Sequence, residues 1–275
     1  MKKILAVSGG IDSVVLLHLL KDEAPIVAHF DHGIRTNSSE DAKFVEKLAV
    51  EYGLKFEQKR MELGEKCSEA TARAERYRFL SGLAEKYGGV ICVAHHADDV
   101  IESIAINLLR GTGWRGLAPM NSNAIVRPLL KWRKRDIYRY AAENNLSFRQ
   151  DQTNTEGNYL RNIIREKLIL LPEETKNRLL EVYEKQSNLY SECEGLLQSI
   201  VARKDGYYSK DIIENSSDEC AIEIIRYVLA QNNISLTRPQ LHRCVEAIRN
   251  YSPMKRLSLN GVRFLEVGRY NYRVI

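Results

Sequence analysis

The sequence predicts an α/β protein: a parallel sheet with helices on both faces, joined to a smaller α-rich C-terminal domain that ends in a β-hairpin. Three observations carry this reading. In the first half, short apolar runs alternate with helical patterns, as in a parallel sheet covered on both faces. Near Asp151 the strand signals stop and long helical patterns take over. The last stretch, Lys255 to Val274, returns to β-rich runs around Asn260-Gly261, a pair suited to tight hairpins.

The elements follow in order. Lys2–Val7 (KKILAV) reads as a buried strand, and Asp12–Asp22 as a helix with apolar residues at Val14, Val15, Leu17, Leu19 and Leu20. Ile26–Phe30 is a second strand. Ser38–Tyr52 is a second helix, with Ser38 placed to cap it and Asp41 in its first turn. Leu54–Arg60 is a third strand, and Glu69–Tyr87 a long helix stopped by Gly88-Gly89. Val90–Ala94 (VICVA) is a fourth strand. A helix over Asp98–Arg110, a short strand near Ile125–Arg127 and a helix over Arg133–Asn144 complete the first half. Helices are then expected at Tyr159–Leu170, Pro172–Arg203, Asp218–Gln231 and Arg238–Asn250, with a domain boundary near residue 170.

Composition narrows the function classes. The chain has 275 residues, 44% hydrophobic and 28% charged, which is ordinary for a globular protein and excludes a disordered or fibrous one. No uncharged apolar run approaches the ~18 residues of a membrane span, and the apolar stretch after Met1 is too short for a signal peptide. The five cysteines include no CxxC pair, which argues against zinc ribbons and dithiol redox chemistry and for a reducing, cytoplasmic setting. The net charge is +5, and the tract from Arg127 to Lys167 alone has ten basic and five acidic residues. Such a tract suits a polyanion partner. On charge alone, a solvated helix face fits equally well.

In parallel sheets, ligands sit beyond the carboxyl ends of the strands. Ser8–Ser13 (SGGIDS) follows the first strand. Adjacent glycines allow close backbone approach, and the next helix N-terminus offers free N–H groups, so this loop suits phosphate. It lacks the Walker pattern GxxxxGK[ST]. Gly111–Gly116 (GTGWRG) matches GxGxxG but follows a helix, so a dinucleotide fingerprint fails its context; Trp114 and Arg115 there could touch substrate. HFDHGIR (His29–Arg35) and AHHADDVIES (Ala94–Ser103) leave the same sheet edge, bringing Asp31, His32, His95, His96, Asp98 and Asp99 toward the phosphate loop. Carboxylates there could hold Mg²⁺, with Asp31 and Asp98 as candidates. Zinc is disfavoured, because HHxDD is not HExxH. Asp99 and Glu102 share a helix face and suit an amine-bearing substrate.

SGGxDS after a first strand resembles the PP-loop of the N-type ATP pyrophosphatases, with a Rossmann-like α/β fold. TARAERYRFL (Thr71–Leu80), AHHADDVIESIAINLLRGTGWRGLAPM (Ala94–Met120), RPLLKWRKRDIYRYA (Arg127–Ala141) and DQTNTEGNYLRNIIREKLILLP (Asp151–Pro172) follow in order. Together with SGGIDS and FDHGIR they resemble the tRNA(Ile)-lysidine synthetases from about residue 4 to 172. Family members usually have Gln, Thr and Gly where Val100, Ser103 and Pro119 stand.

The resemblance implies a reaction: ATP adenylates the 2-oxygen of the wobble cytidine of the isoleucine tRNA with a CAU anticodon. Free L-lysine then displaces AMP to give lysidine. Carried over by position, Ser8, Gly9, Gly10, Asp12 and Ser13 would bind ATP. His95 would contact it, and Asp31 would lie near ATP and Mg²⁺. Asp99 and Glu102 would bind lysine, and Arg73 would lie at the active site, where it could neutralise phosphate or the activated intermediate. Arg115, Arg133, Lys134, Arg135, Arg161 and Arg165 would grip tRNA. Residues 1–170 would be catalytic and 171–275 tRNA-contacting. A homodimer is allowed. Many members carry an additional C-terminal domain that helps recognise tRNA, so how methionine tRNAs are rejected is left open. A tRNA 2-thiolation enzyme of the same superfamily is the rival, weakened by the missing CxxC. A non-catalytic tRNA-binding module should not retain both the glycine loop and the carboxylate pair.

Overall fold

A computed structural model describes residues 1–33, 38–62, 64, 68–122, 124–149, 159–250 and 256–275. Two compact units form, Met1–Ser187 and Asn188–Ile275.

The first unit holds β1 (Lys2–Ala6), α1 (Ile11–Leu20), β2 (Ile26–Asp31), α2 (Ser38–Glu51), β3 (Lys55–Arg60), α3 (Glu69–Tyr87), β4 (Gly89–Cys92), α4 (Ala97–Leu109), β5 (Ile125–Val126), α5 (Lys134–Glu143) and α6 (Tyr159–Ile169). The long helix α7 (Glu173–Ile200) carries the chain from this unit into the next. The strands form one sheet in the order β3-β2-β1-β4-β5, every pair parallel.

Alternation along the strands explains the two-sided cover. Successive side chains point to opposite faces. Leu5, Val27 and Cys92 pack with Val14, Leu17, Val45, Ala49 and Ile137 from α1, α2 and α5. Ile4, Ile26 and Ile91 turn the other way, onto Leu80 and Leu83 of α3. The expected parallel sheet with helices on both faces is therefore observed. β3 is an edge strand with half of its positions exposed, which is why its sequence KFEQKR is polar apart from Phe56. The predicted stop of α3 is also found. Gly88 takes φ +58°, and its N–H bonds back to the carbonyls of Ala84 and Glu85. The expected cap by Ser38 concerns a side chain outside the described residues.

The second unit is α-rich as expected, and its strands extend beyond the hairpin. It holds β6 (Arg203–Lys204), β7 (Tyr207–Ser209), α8 (Asp211–Glu214), α9 (Asp218–Gln231), α10 (Arg238–Arg249), β8 (Arg256–Ser258), β9 (Phe264–Val267) and β10 (Asn271–Val274). The predicted hairpin belongs to a five-stranded antiparallel sheet, β6-β7-β10-β9-β8. Tyr208, Leu265, Val267, Tyr272 and Val274 of this sheet form a core with Ala221, Ile225, Leu241, Val245 and Ile248 of the helices. The helix expected to reach Arg203 ends at Ile200. Asp205-Gly206, with φ of +51° and +87°, then turns β6 into β7. Among the described residues no helix is long and apolar enough to cross a membrane.

Candidate active site

The site begins at the central strand. β1 ends at Ala6, and the chain turns through Ser8–Gly10 into α1. Gly9 takes φ +93°, and an added Cβ would sit 3.4 Å from the Phe44 ring. Ser13 ties the loop together. Its hydroxyl donates to the Gly10 carbonyl at 2.8 Å and accepts the N–H groups of Ser8 and Gly9, each at 3.1 Å. Ser13 is only 4% exposed. Its role in this arrangement is to shape the loop, whereas Ser8 is exposed. The Gly10 cap makes no side-chain bond, and Asp12 lies in the first turn of α1.

β4 lies directly beside β1, on the opposite side from β2. This is the switch point where the strand order reverses, and ligands in open α/β sheets bind there. The chain beyond β4 supplies His95, His96 and the first turn of α4. The Asp99 carboxylate accepts the His96 N–H at 2.9 Å, closing the start of α4. The buried His96 imidazole is ringed by carboxylates, with Nε2 3.5 Å from Asp99 and 3.8 Å from Asp12, and Nδ1 3.9 Å from Asp98. Burial pushes the Asp99 carboxyl up. His96 opposes this, while Asp12 and Glu102 add to it. A carboxylate held up in this way is a better proton acceptor.

The basic tract is partly folded into the site. The Lys134 ammonium bonds both Asp12 oxygens, at 2.6 and 2.8 Å, and so clamps α5 to α1. The Arg133 guanidinium bonds Asp98 Oδ1 at 2.9 and 3.1 Å and Glu173 at 3.1 Å. The Lys134 N–H adds 2.7 Å to Asp98 Oδ2. Burial alone would raise the Asp98 carboxyl, but these bonds outweigh it and hold it below its usual range. Arg165 of α6 places Nε 3.0 Å and Nη2 2.9 Å from Glu102 Oε2. Arg135 remains 70% exposed, with Glu173 at 3.8 Å. Arg115 lies over the Trp114 ring at 4.9 Å, on a short 3₁₀ turn, so GTGWRG builds no strand-to-helix dinucleotide loop. Arg161 lies outside the described side chains.

His95 sits in a cationic pocket. Burial first, and then Arg127, Arg73, Arg76 and His96, push its pKa down to about 3, so the ring is neutral at pH 7. Arg73, exposed on α3, lies over the Tyr77 ring at 4.9 Å. Sequence reading missed Arg127 and Arg76 as part of this site. Arg127 follows directly on β5, so the strand-end rule could have found it. Arg76 carries no comparable signal.

Asp31 and Asp98, the expected Mg²⁺ pair, leave two strands that are not neighbours. Asp31 ends β2, accepts the Gly33 N–H at 2.9 Å and has Arg60 3.7 Å away. Asp98 follows β4, and β1 lies between those strands, which separates their ends by roughly 10 Å. Both Asp98 oxygens are already engaged. Among the described residues no group of three or more His, Cys, Asp or Glu could hold a metal ion.

A family model described as the PP-loop domain matches residues 1–172. The tRNA(Ile)-lysidine synthase of Thermotoga maritima is 33% identical over 253 residues, covering 83% of this chain and 60% of the relative. That of Pseudothermotoga lettingae is 31% identical over 273 residues, covering 91% and 61%. The chain thus spans about 60% of the length of these curated relatives. Among solved structures, the U34-tRNA thiolase NcsA of Methanococcus maripaludis, with its [4Fe-4S] cluster, superposes with a TM-score of 0.59 at 16% identity. That match covers 69% of this chain and 72% of the thiolase, a likeness of fold. With the glycine loop at the switch point and the family match running through more than half of its length, the chain belongs to the PP-loop family.

Proposed function

We propose that this chain is an ATP-dependent tRNA-modifying ligase that joins free lysine to the wobble cytidine of isoleucine tRNA with a CAU anticodon. One observation carries the reading. Two carboxylates on one face of α4, Asp99 and the 5%-exposed Glu102, stand beside the PP-loop, and Glu102 already holds a cationic side chain. The names of the relatives, tRNA(Ile)-lysidine synthases, support the same substrate.

The chemistry follows in two steps. The glycine loop and the N-terminus of α1 bind the ATP phosphates. The cytidine 2-oxygen attacks the α-phosphorus, a P–O bond forms, and pyrophosphate leaves. Arg73 and its neighbours balance the negative charge that develops. Glu102 holds the lysine ammonium, and Asp99 takes a proton from it. The freed amine attacks carbon 2, the C–O bond breaks, and AMP departs with the oxygen. Mg²⁺ would neutralise phosphate charge when bound, as it does for nucleotides generally. Residues 171–275 are assigned to tRNA contact.

The test is a nucleoside digest. The chain is incubated with ATP, lysine and unmodified tRNA, and the products are separated by mass. A cytidine that has gained lysine and lost water supports the reading. A thiolated cytidine, or no lysine-dependent product with cognate tRNA present, removes it.

A further inference from the structure

We propose that Arg127 is a positioning residue that fixes His95 in the Nε2–H tautomer, so that the ring offers a neutral hydrogen-bond donor beside the PP-loop. The inference rests on the reading above for what that donor serves, a phosphate oxygen of ATP. The tautomer itself rests on geometry.

β5 pairs with β4 in parallel, with Val126 opposite Cys92. The Val93 N–H extends this ladder to the Val126 carbonyl at 3.0 Å. Arg127 and the His95 segment therefore leave the sheet side by side. The Arg127 guanidinium is anchored from behind. Its Nη1 donates to the Ile125 carbonyl at 3.0 Å and to the Ser122 carbonyl at 3.5 Å. Its Nε is left to face His95 Nδ1 at 3.4 Å.

A guanidinium has only donors and keeps its proton at any working pH. An imidazole nitrogen that meets such a donor must present its lone pair. Nδ1 is therefore bare, and the proton of the neutral ring lies on Nε2. The alternative, a doubly protonated ring, would place N–H against N–H. The charged groups around the ring oppose it as well: Arg127 beyond β5, and Arg73 and Arg76 on α3. The result is a division of labour. The arginines supply positive charge, and His95 supplies a directed donor that adds no charge and does not titrate near neutrality.

The spectroscopic test uses the full chain labelled with ¹⁵N-histidine. Long-range ¹H–¹⁵N spectra identify the His95 ring by its loss in His95→Gln. The wild type is expected to show a bare Nδ1 and a protonated Nε2. Arg127→Met is expected to shift Nδ1 toward the protonated form, and Arg127→Lys to fall between. A protonated Nδ1 in the wild type overturns the proposal, whatever the variants do.

The second arm is a double-mutant cycle on turnover of ATP to AMP and pyrophosphate with tRNA and lysine. Each single change should cost about tenfold or more, the order expected for losing one hydrogen bond to a charged group. The double variant should lie within about twofold of His95→Gln, because residues that act through one another are not additive. Additive losses would show that Arg127 acts independently of His95. If the wild type turns over no ATP, the reading of function fails, and the spectrum still decides the tautomer.

Discussion

The Arg165 guanidinium reaches from α6 to the buried Glu102 carboxylate on α4, with two nitrogens 2.9 and 3.0 Å from the same oxygen. A cation from the protein thus occupies the carboxylate assigned to the substrate ammonium. If the two cations compete, Arg165→Met should lower the lysine KM several-fold. The buried Glu102 would lose a hydrogen-bonded partner, at a cost of roughly 1–3 kcal/mol in stability. Steady-state kinetics and denaturant melts check both. A raised lysine KM would instead make Arg165 part of the lysine pocket.

Ser13 organises the PP-loop through one hydroxyl that accepts two loop N–H groups and donates to the Gly10 carbonyl. Ser13→Ala leaves two loop N–H groups without that acceptor, which should destabilise the fold by roughly 1–3 kcal/mol. The ATP requirement should rise with it, because the loop amides lose their aim. Thermal unfolding and nucleotide titration provide the measurements. Unchanged ATP affinity would show that the loop holds its shape without Ser13.

The basic tract divides into inward and outward members. Lys134 bonds Asp12, whereas Arg135 is exposed. Arg135→Ala should weaken tRNA binding and reduce the slope of log affinity against log salt by about 1. Lys134→Ala should leave that slope nearly unchanged while altering ATP use. Filter binding at several salt concentrations separates the two. Equal slopes for Arg135→Ala and the wild type would make Arg135 a solvated surface residue.

His95 gives a pH signature. Its folded pKa is depressed to about 3, against about 6.5 when unfolded. Between those values the unfolded chain binds a proton that the folded chain refuses. The contribution of this ring to stability is therefore complete above about pH 6.5 and is lost as the pH falls toward 3. His95→Gln should lose less Tm than the wild type between pH 7 and pH 4. Parallel curves would place His95 in a more solvated setting.

The sheet and the loops at its edge were legible because each rests on local signals. Apolar runs such as VICVA mark buried strands, and the strand-end rule drew attention to Ser8–Ser13 and His95–Asp99. The pairings of the basic tract were not legible. Lys134 and Asp12 stand 122 positions apart, and Arg165 and Glu102 stand 63 apart, so only the folded chain decides that these cations face inward. Composition shows only the net charge of the tract, whereas its members have separate partners. β6 and β7 failed for a different reason. Asp205-Gly206 signals a hairpin, but the preceding helical pattern obscured strands only two and three residues long.

In the proposed reaction the α4 carboxylates receive the lysine ammonium beside the PP-loop. Steady-state kinetics of Glu102→Gln, varying lysine and ATP separately, test it most directly. The expected result is a rise in lysine KM of about tenfold or more, the loss of one charge-assisted hydrogen bond, with ATP KM within about twofold of wild type. Equal increases in both would contradict it.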